Sequence, residues 1–225
     1  NWSIPEYSDK DTKFWDADNP ILNKNQVSNP INLEKNIIVT GPNAGGKTTY
    51  VKTILSNIIL GQTIGITYSL KSKIILYDTI NSFMRVSDEL GNRSYFEAEA
   101  EYCLNMIKKA KEINKNGGRG LFLMDEPMHS TPPTEGMSTA YSVIEYLSKI
   151  EGISLIITTH FHKLIELEEK YPNKFINLSV DAILDQKNNK YVFPYKIKKG
   201  YSYLCIAIEL LDIKDFPKEI INNAI

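Results

Sequence analysis

The sequence predicts an α/β fold: a mostly parallel central sheet flanked by helices, with an antiparallel edge. Strand-like and helix-like segments alternate along the 225 residues, the pattern of repeated βα units. Two apolar runs, 120–125 and 154–158, lack the polar alternation of half-exposed strands and read as strands buried on both faces. A glycine-rich turn over 41–48 separates an apolar stretch from a helix-like one, which sets a strand, a tight loop and a helix in succession.

The elements follow in chain order. Residues 1–35 are polar, with Trp2, Phe14 and Trp15 scattered among Asp, Asn and Pro; an irregular lead-in is expected, with one short strand near 21–27. A strand over 37–40 and a helix over 48–60 come next, then a strand or hairpin over 73–84. Ala98, Cys103, Met106, Ile107 and Ala110 recur at helical intervals within 95–114, and Gly117-Gly118 closes that helix. After the strand at 120–125 come a helix over 136–150, the strand at 154–158, and a helix over 161–171 ended by Pro172. Strands over 175–184 and 190–196 joined by a turn at 185–189 supply the antiparallel edge. A helix over 203–211 follows, and Pro217 opens the last helix at its favoured first position.

Composition excludes several classes. Apolar residues at 42% and charged residues at 24% suit a globular chain with a full core. A net charge of −1 gives no overall basic field for nucleic acid, so such contact falls to a local patch or to another part of a larger protein. Cys103 and Cys205 are too few and too far apart for a disulfide framework or zinc site, which fits a reducing interior. The apolar stretch 54–66 is broken by Ser56, Asn57, Gln62 and Thr63 and reads as a helix and its exit, not a membrane span. No signal peptide is visible, and triplets such as Asn92-Arg93-Ser94 read as chance rather than glycosylation sites. Because the chain opens on Asn1 rather than Met, a piece of a longer protein is expected.

Chemistry concentrates in three places. Gly41-Pro42-Asn43-Ala44-Gly45-Gly46-Lys47-Thr48, followed by Thr49, has the G-x-x-x-x-G-K-T form of a Walker A loop in its proper strand–loop–helix context. Glycines let successive N–H groups face one anion-binding hollow, and the following helix aims its positive end there. Lys47 reaches the β- and γ-phosphates of a nucleoside triphosphate, and Thr48 offers a hydroxyl to Mg²⁺. These residues predict a P-loop NTPase.

The second place is the end of the apolar run Leu121-Phe122-Leu123-Met124-Asp125-Glu126, where Asp125 suits Mg²⁺ and Glu126 suits the general base that polarises water. The third is Thr158-Thr159-His160, where a histidine ends another buried strand at the edge where open α/β sheets bind ligands. His160 is placed for the γ-phosphate or the lytic water; the plainer alternative is a histidine satisfied by a local hydrogen bond. His129 and His162 carry no comparable context.

Several segments, in the right order over almost the whole chain, resemble the ATPase domain of the MutS family of DNA mismatch-repair proteins. The loop 41–48 matches G-P-N-x-G-G-K-[ST]; Arg93-Ser94-Tyr95-Phe96-Glu97-Ala98-Glu99 matches R-S-x-F-x-x-E; Leu123-Met124-Asp125-Glu126 with Thr131 and Gly136 matches the Walker B region. Thr159-His160-Phe161 matches T-H-[FY], Asn19-Pro20-Ile21-Leu22 resembles the lead-in, and Ser202-Tyr203 and Phe216-Pro217-Lys218-Glu219 resemble the closing segment. The resemblance implies a Mg-dependent ATPase of the ABC type. Its core would span 36–200, and a helical segment over 201–225 would serve dimerisation. Two such domains would pair as a homodimer or heterodimer, with Ser94 acting in trans on the γ-phosphate and Asn43 contacting that phosphate or the water. Read locally, Ser94 is an N-cap with Glu97 completing a capping box, and both roles are compatible. Double-stranded DNA would be held by domains outside this chain, in the cytoplasm (nucleoid) or nucleus, with no membrane partner.

The chain also departs from the family. Where typical members read D-E-[IL]-G-R-G-T-S-T, it has Asp125-Glu126-Pro127-Met128-His129-Ser130-Thr131-Pro132-Pro133, losing glycines and gaining prolines. Residues after Gly200 are fewer than usual, and Tyr195 replaces a common histidine near the adenine, where an aromatic ring stacks equally well. These changes mark a divergent branch. A MutS-related ATPase acting outside mismatch repair therefore stays open, as does a generic SMC-like ABC ATPase, although no L-S-G-G-Q-like signature precedes Walker B. A P-loop kinase would want an arginine-rich lid, and few arginines are present; a non-catalytic ATP-binding partner conflicts with intact Lys47, Asp125 and Glu126.

Overall fold

The fold follows from strands that are apolar on both sides. In a computed structural model, which describes residues 1–22, 26–84, 95–130, 132–188, 190–204, 211, 213–214 and 216–223, three such strands form the centre. These are β5 (Asn36–Thr40), β8 (Gly120–Asp125) and β9 (Ile153–Thr158), and β5 and β8 are buried at every position. Side chains alternate across a strand, so each contributes to two cores. Ile37, Val39, Leu121, Leu123 and Ile156 face one, and Ile38, Phe122, Met124, Leu155 and Ile157 face the other. Burying a side chain such as Phe122 or Ile157 contributes about 1.5–3 kcal/mol.

Around this centre the six-stranded sheet has the order β13-β10-β5-β9-β8-β7, with β7 (Thr79–Phe83), β10 (Phe175–Ser179) and β13 (Lys198–Lys199). All pairings in it are parallel except the edge pair β10–β13. Helix α1 (Lys47–Thr63) covers one face through Val51, Ile54 and Ile58. On the other, α2 (Tyr95–Lys115) and α3 (Pro133–Ser148) contribute Cys103, Met106, Ala110, Ala140, Ile144 and Leu147. Phe161 leads into a 3₁₀ turn (His162–Ile165) and the short α4 (Glu166–Lys170), so the expected helix over 161–171 is split. The last helix, α5 (Lys218–Asn223), begins one residue after Pro217, its expected first position. The expected helix over 203–211 lies largely outside the described residues.

Three expectations need correction. The lead-in is not irregular, and of the strand expected near 21–27 the described residues Ile21, Leu22, Gln26 and Val27 lie in no strand. Instead β1 (Trp2–Ser3), β2 (Glu6–Tyr7), β3 (Lys13–Ala17) and β4 (Asn29–Asn32) join β6 (Thr67–Ile74) in a five-stranded sheet. Pairings such as Trp2↔Tyr68 and Lys13↔Lys73 supply the order that local sequence lacks. Residues 73–84 are not a hairpin, because β6 and β7 belong to different sheets. The expected strand over 175–184 is two elements: β10 ends at Ser179, and the antiparallel hairpin pairs β11 (Ile183–Asp185) with β12 (Lys190–Val192).

Candidate functional site

Strands β5, β8 and β9 end together, because Val39 and Asp125 both pair with Thr158. The loop 41–46, the pair Asp125-Glu126 and the segment Thr159-His160 therefore meet at one edge of the sheet. In parallel sheets this carboxyl edge is where ligands bind.

The loop turns sharply where side chains do not fit. Gly41 has φ 130°, and a Cβ there would lie 2.3 Å from the Val180 carbonyl oxygen. Gly46 has φ 100° and caps α1, whose helical bonding begins with the Tyr50 amide on the Gly46 carbonyl at 2.9 Å. Ala44 also takes positive φ, 64°. The first-turn amides of α1 have no acceptor within the helix, and its dipole puts positive charge at that end. An anion is favoured beside 44–49.

Lys47 is buried beneath this loop, 5% exposed. Its Nζ donates to the carbonyls of Gly41 at 2.9 Å and Pro42 at 3.3 Å, and lies 3.8 Å from Glu126 Oε1. Burial draws its pKa below the ordinary lysine value, against the opposing pull of the Glu126 and Asp125 carboxylates. Added negative charge in the loop would relieve that penalty. His160 Nε2 stands 2.7 Å from Glu126 Oε1, 2.9 Å from Asn43 Oδ1 and 3.2 Å from Lys47 Nζ. Two oxygen acceptors face Nε2, so the tautomer with its proton on that nitrogen fits. Asn43, Lys47, Glu126 and His160 thus form one contact network.

Asp125 is buried beside Thr48, whose hydroxyl lies 3.1 and 3.0 Å from its two carboxylate oxygens. From the other side the Thr158 hydroxyl donates to Asp125 Oδ1. Glu126 turns away from the strand with φ 52°, its amide bonded at 3.1 Å to both the carbonyl and the hydroxyl of Thr158. A hollow of about 390 Å³ opens beside Asn43, Thr48, Asp125 and Glu126. Its hydroxyl and carboxylate donors are hard oxygens, the set that suits Mg²⁺.

A larger cleft of about 450 Å³ borders the loop on its other flank, lined by residues 42–44 and 46–50. Its far wall comes from the lead-in, including Asn19, Leu22, Gln26 and Val27, and from Tyr195 and Ile197. Asn29 fixes the Tyr195 side: its Nδ2 donates to the Tyr195 carbonyl at 2.9 Å and its Oδ1 accepts the Ile197 amide at 2.8 Å. The Tyr195 ring consequently lies beside Gly46, 3.1 Å from where a Cβ would stand. Gln26 and Asn19 exchange hydrogen bonds at 2.7 and 3.1 Å and brace the lead-in wall.

The structure therefore brings together Asn43, Lys47, Thr48, Asp125, Glu126 and His160, with Gly41, Pro42, Ala44, Gly45, Gly46, Thr49 and Tyr195 around them. Ser94 lies outside the described residues. Sequence reading missed Thr158, visible only as a hydroxyl at the end of an apolar strand, and the lead-in wall, whose polar residues carry no periodic signal.

Known proteins supply the remaining finding. Residues 37–225 match the model of the family described as MutS domain V. The chain is 30% identical over 187 residues to a protein named DNA mismatch repair protein MutS from Finegoldia magna, covering 83% of this chain and 21% of the relative. Proteins of the same name are 32% identical in Fusobacterium nucleatum, over 88% of the chain and 22% of the relative, and 34% identical in Prochlorococcus marinus, over 95% and 23%. The chain thus spans between a fifth and a quarter of the length of these relatives. On this match, which takes in 189 of its 225 residues, the chain belongs to the MutS domain V family.

Proposed function

We propose that this chain binds and hydrolyses ATP, pairs with a second such domain, and couples nucleotide state to DNA binding in a MutS-like mismatch-repair protein. The observation that carries this reading is the convergence of Lys47, Asp125, Glu126 and His160 on one glycine-rich loop at a helix N-terminus. The fold is then a P-loop NTPase of the ABC type, with α1 behind the phosphates and the five-stranded sheet, antiparallel but for β2–β6, beside it. Lys47 and the first-turn amides of α1 hold the β- and γ-phosphates. Tyr195 stacks on adenine across the 450 Å³ cleft.

Thr48 and Asp125 would hold Mg²⁺, which would supply positive charge to offset that of the phosphates. Glu126 takes the proton of the attacking water, and its contact with His160 Nε2 keeps the carboxylate aimed at the loop. Asn43 and His160 face the γ-phosphate, and Ser94 of the second domain completes the site in trans. Hydrolysis would alter contacts between the paired domains, and through them domains that hold double-stranded DNA inside the cell. Among the described residues no helix is long and apolar enough to cross a membrane.

A second reading, a MutS-related ATPase outside mismatch repair, is favoured by the loop after Glu126. Met128 and Ser130 stand there where the family pattern carries glycine, and Met128 takes φ 61°. Phosphate release from ATP with magnesium tests the main proposal. Turnover in the intact protein that is lost, together with ATP binding, in Lys47→Ala supports it; tight ATP binding by Lys47→Ala sinks it.

A further inference from the structure

Glu99 and Ser130 are two residues to which the nucleotide reading gives no role of their own. Glu99 lies near the start of α2 and is 8% exposed. Ser130 lies in the loop between β8 and α3. The Ser130 hydroxyl donates to Glu99 Oε2, and the Ser130 amide reaches the same oxygen at 3.3 Å. One carboxylate oxygen thus takes both donors of one residue. A buried carboxylate is costly unless hydrogen-bonded, so the contact favours this loop position.

The loop is held at two other points. Thr158 binds the Glu126 amide. Met128 is 1% exposed and shares an apolar cluster with Cys103 and Met106 of α2. Both Glu126 and Met128 have positive φ, 52° and 61°. Left-handed backbone at residues with a Cβ persists only where its surroundings hold it. Thr158 holds one end of the stretch, Met128 the middle and Glu99 the other end. Where the family pattern carries glycine, this chain has Ser130, and a glycine has no hydroxyl to give.

We propose that Glu99 and Ser130 are a positioning pair that ties the seat of Glu126 to helix α2, so that displacement of α2 changes hydrolysis without changing nucleotide affinity. The pair acts through Glu126, and its effect on turnover rests on the proposed function above.

The test compares Ser130→Ala, Glu99→Gln, the double variant and Ser130→Thr in the intact protein. Turnover number, ATP dissociation constant, and amide exchange at Met128, His129 and Ser130 without nucleotide are measured. Each single variant should lower the turnover number about tenfold and raise loop exchange about tenfold, as loss of a hydrogen bond to a charged group predicts. ATP affinity should stay within about twofold, since no contact to the 41–49 loop is removed. The double variant should be no worse than either single, and Ser130→Thr should match the unaltered protein. Unchanged turnover in the single variants, or losses that multiply in the double, would overturn the pairing. Should the unaltered protein fail to hydrolyse ATP, the proposed function falls separately and loop exchange alone decides. Exchange raised in both singles and no further in the double upholds the pair; unchanged exchange overturns it.

Discussion

The Thr158 hydroxyl donates to Asp125 from the neighbouring strand, opposite it in the β8–β9 register. The same oxygen accepts the Glu126 amide at 3.1 Å. One buried threonine therefore orients both carboxylate residues at the end of β8. Partners of this kind behind a metal ligand are worth about 10–100-fold in metal affinity. Thr158→Val, nearly the same shape without the hydroxyl, should raise the Mg²⁺ concentration for half-maximal ATP turnover by about that factor. Thr158→Ser should not. A magnesium titration of phosphate release checks this, and equal curves for Val and Ser would remove Thr158 from the role.

Glu126→Gln retains size and hydrogen bonding but cannot take a proton from water. Removal of a general base typically costs about 10²–10⁴-fold in rate. The variant should therefore bind ATP as well as the unaltered protein and hydrolyse it slower by about that factor. Binding and single-turnover measurements separate the two quantities, and unchanged turnover would exclude Glu126 as the base.

Much of this was legible in the sequence because its signals were local. The unbroken apolar run at β8 ends in its carboxylates, and the glycines of 41–46 mark the loop. The lead-in was hidden for a physical reason. Its strands β1, β2 and β3 pair with β6, far away in sequence, and the sheet buries hydroxyls where apolar residues would give a pattern. Thr67, Ser69 and Ser72 are at most 1% exposed. They satisfy one another, with Thr67 bonded to Ser72 at 2.6 Å and to Ser69 at 3.1 Å, and Ser3 joins at 3.1 Å. A buried hydroxyl network reads as a polar surface until the partner strand is known.

Tyr195 stands beside Gly46 because Asn29 holds the backbone on either side of Ile197's predecessor, Lys196. If the ring stacks on the base, its loss should cost about 0.5–1.5 kcal/mol of binding, roughly a two- to tenfold rise in the ATP dissociation constant for Tyr195→Ala. Tyr195→Phe should bind normally, since the ring face is what acts. Asn29→Ala should weaken binding as well, by freeing the segment that carries the ring. Equal affinities for Tyr195→Ala and Tyr195→Phe, measured by titration, would show that the ring makes no contact.

Acid should weaken the packing of α3 against α4 through a single carboxylate. Glu145 on α3 accepts from Lys170 Nζ at 2.7 Å and from the Tyr171 hydroxyl at 2.8 Å. The Lys170 hydrogen bond first, then that of Tyr171, lowers its pKa from 4.5 to about 2. A carboxylate with a lowered folded pKa stabilises fully above its unfolded value and loses that contribution as pH falls through the folded one. The window is therefore from about pH 4.5 down to about pH 2. Lys170→Met removes the first cause, so the Glu145 midpoint, followed by carboxyl chemical shift, should rise toward 4.5. The melting temperature of the unaltered protein should exceed that of Lys170→Met at neutral pH, and the gap should close across this window. Because the pair lies at the surface, added salt should narrow the gap as well. A gap that stays constant from neutral pH to pH 2 would show that Lys170 stabilises by packing rather than through Glu145.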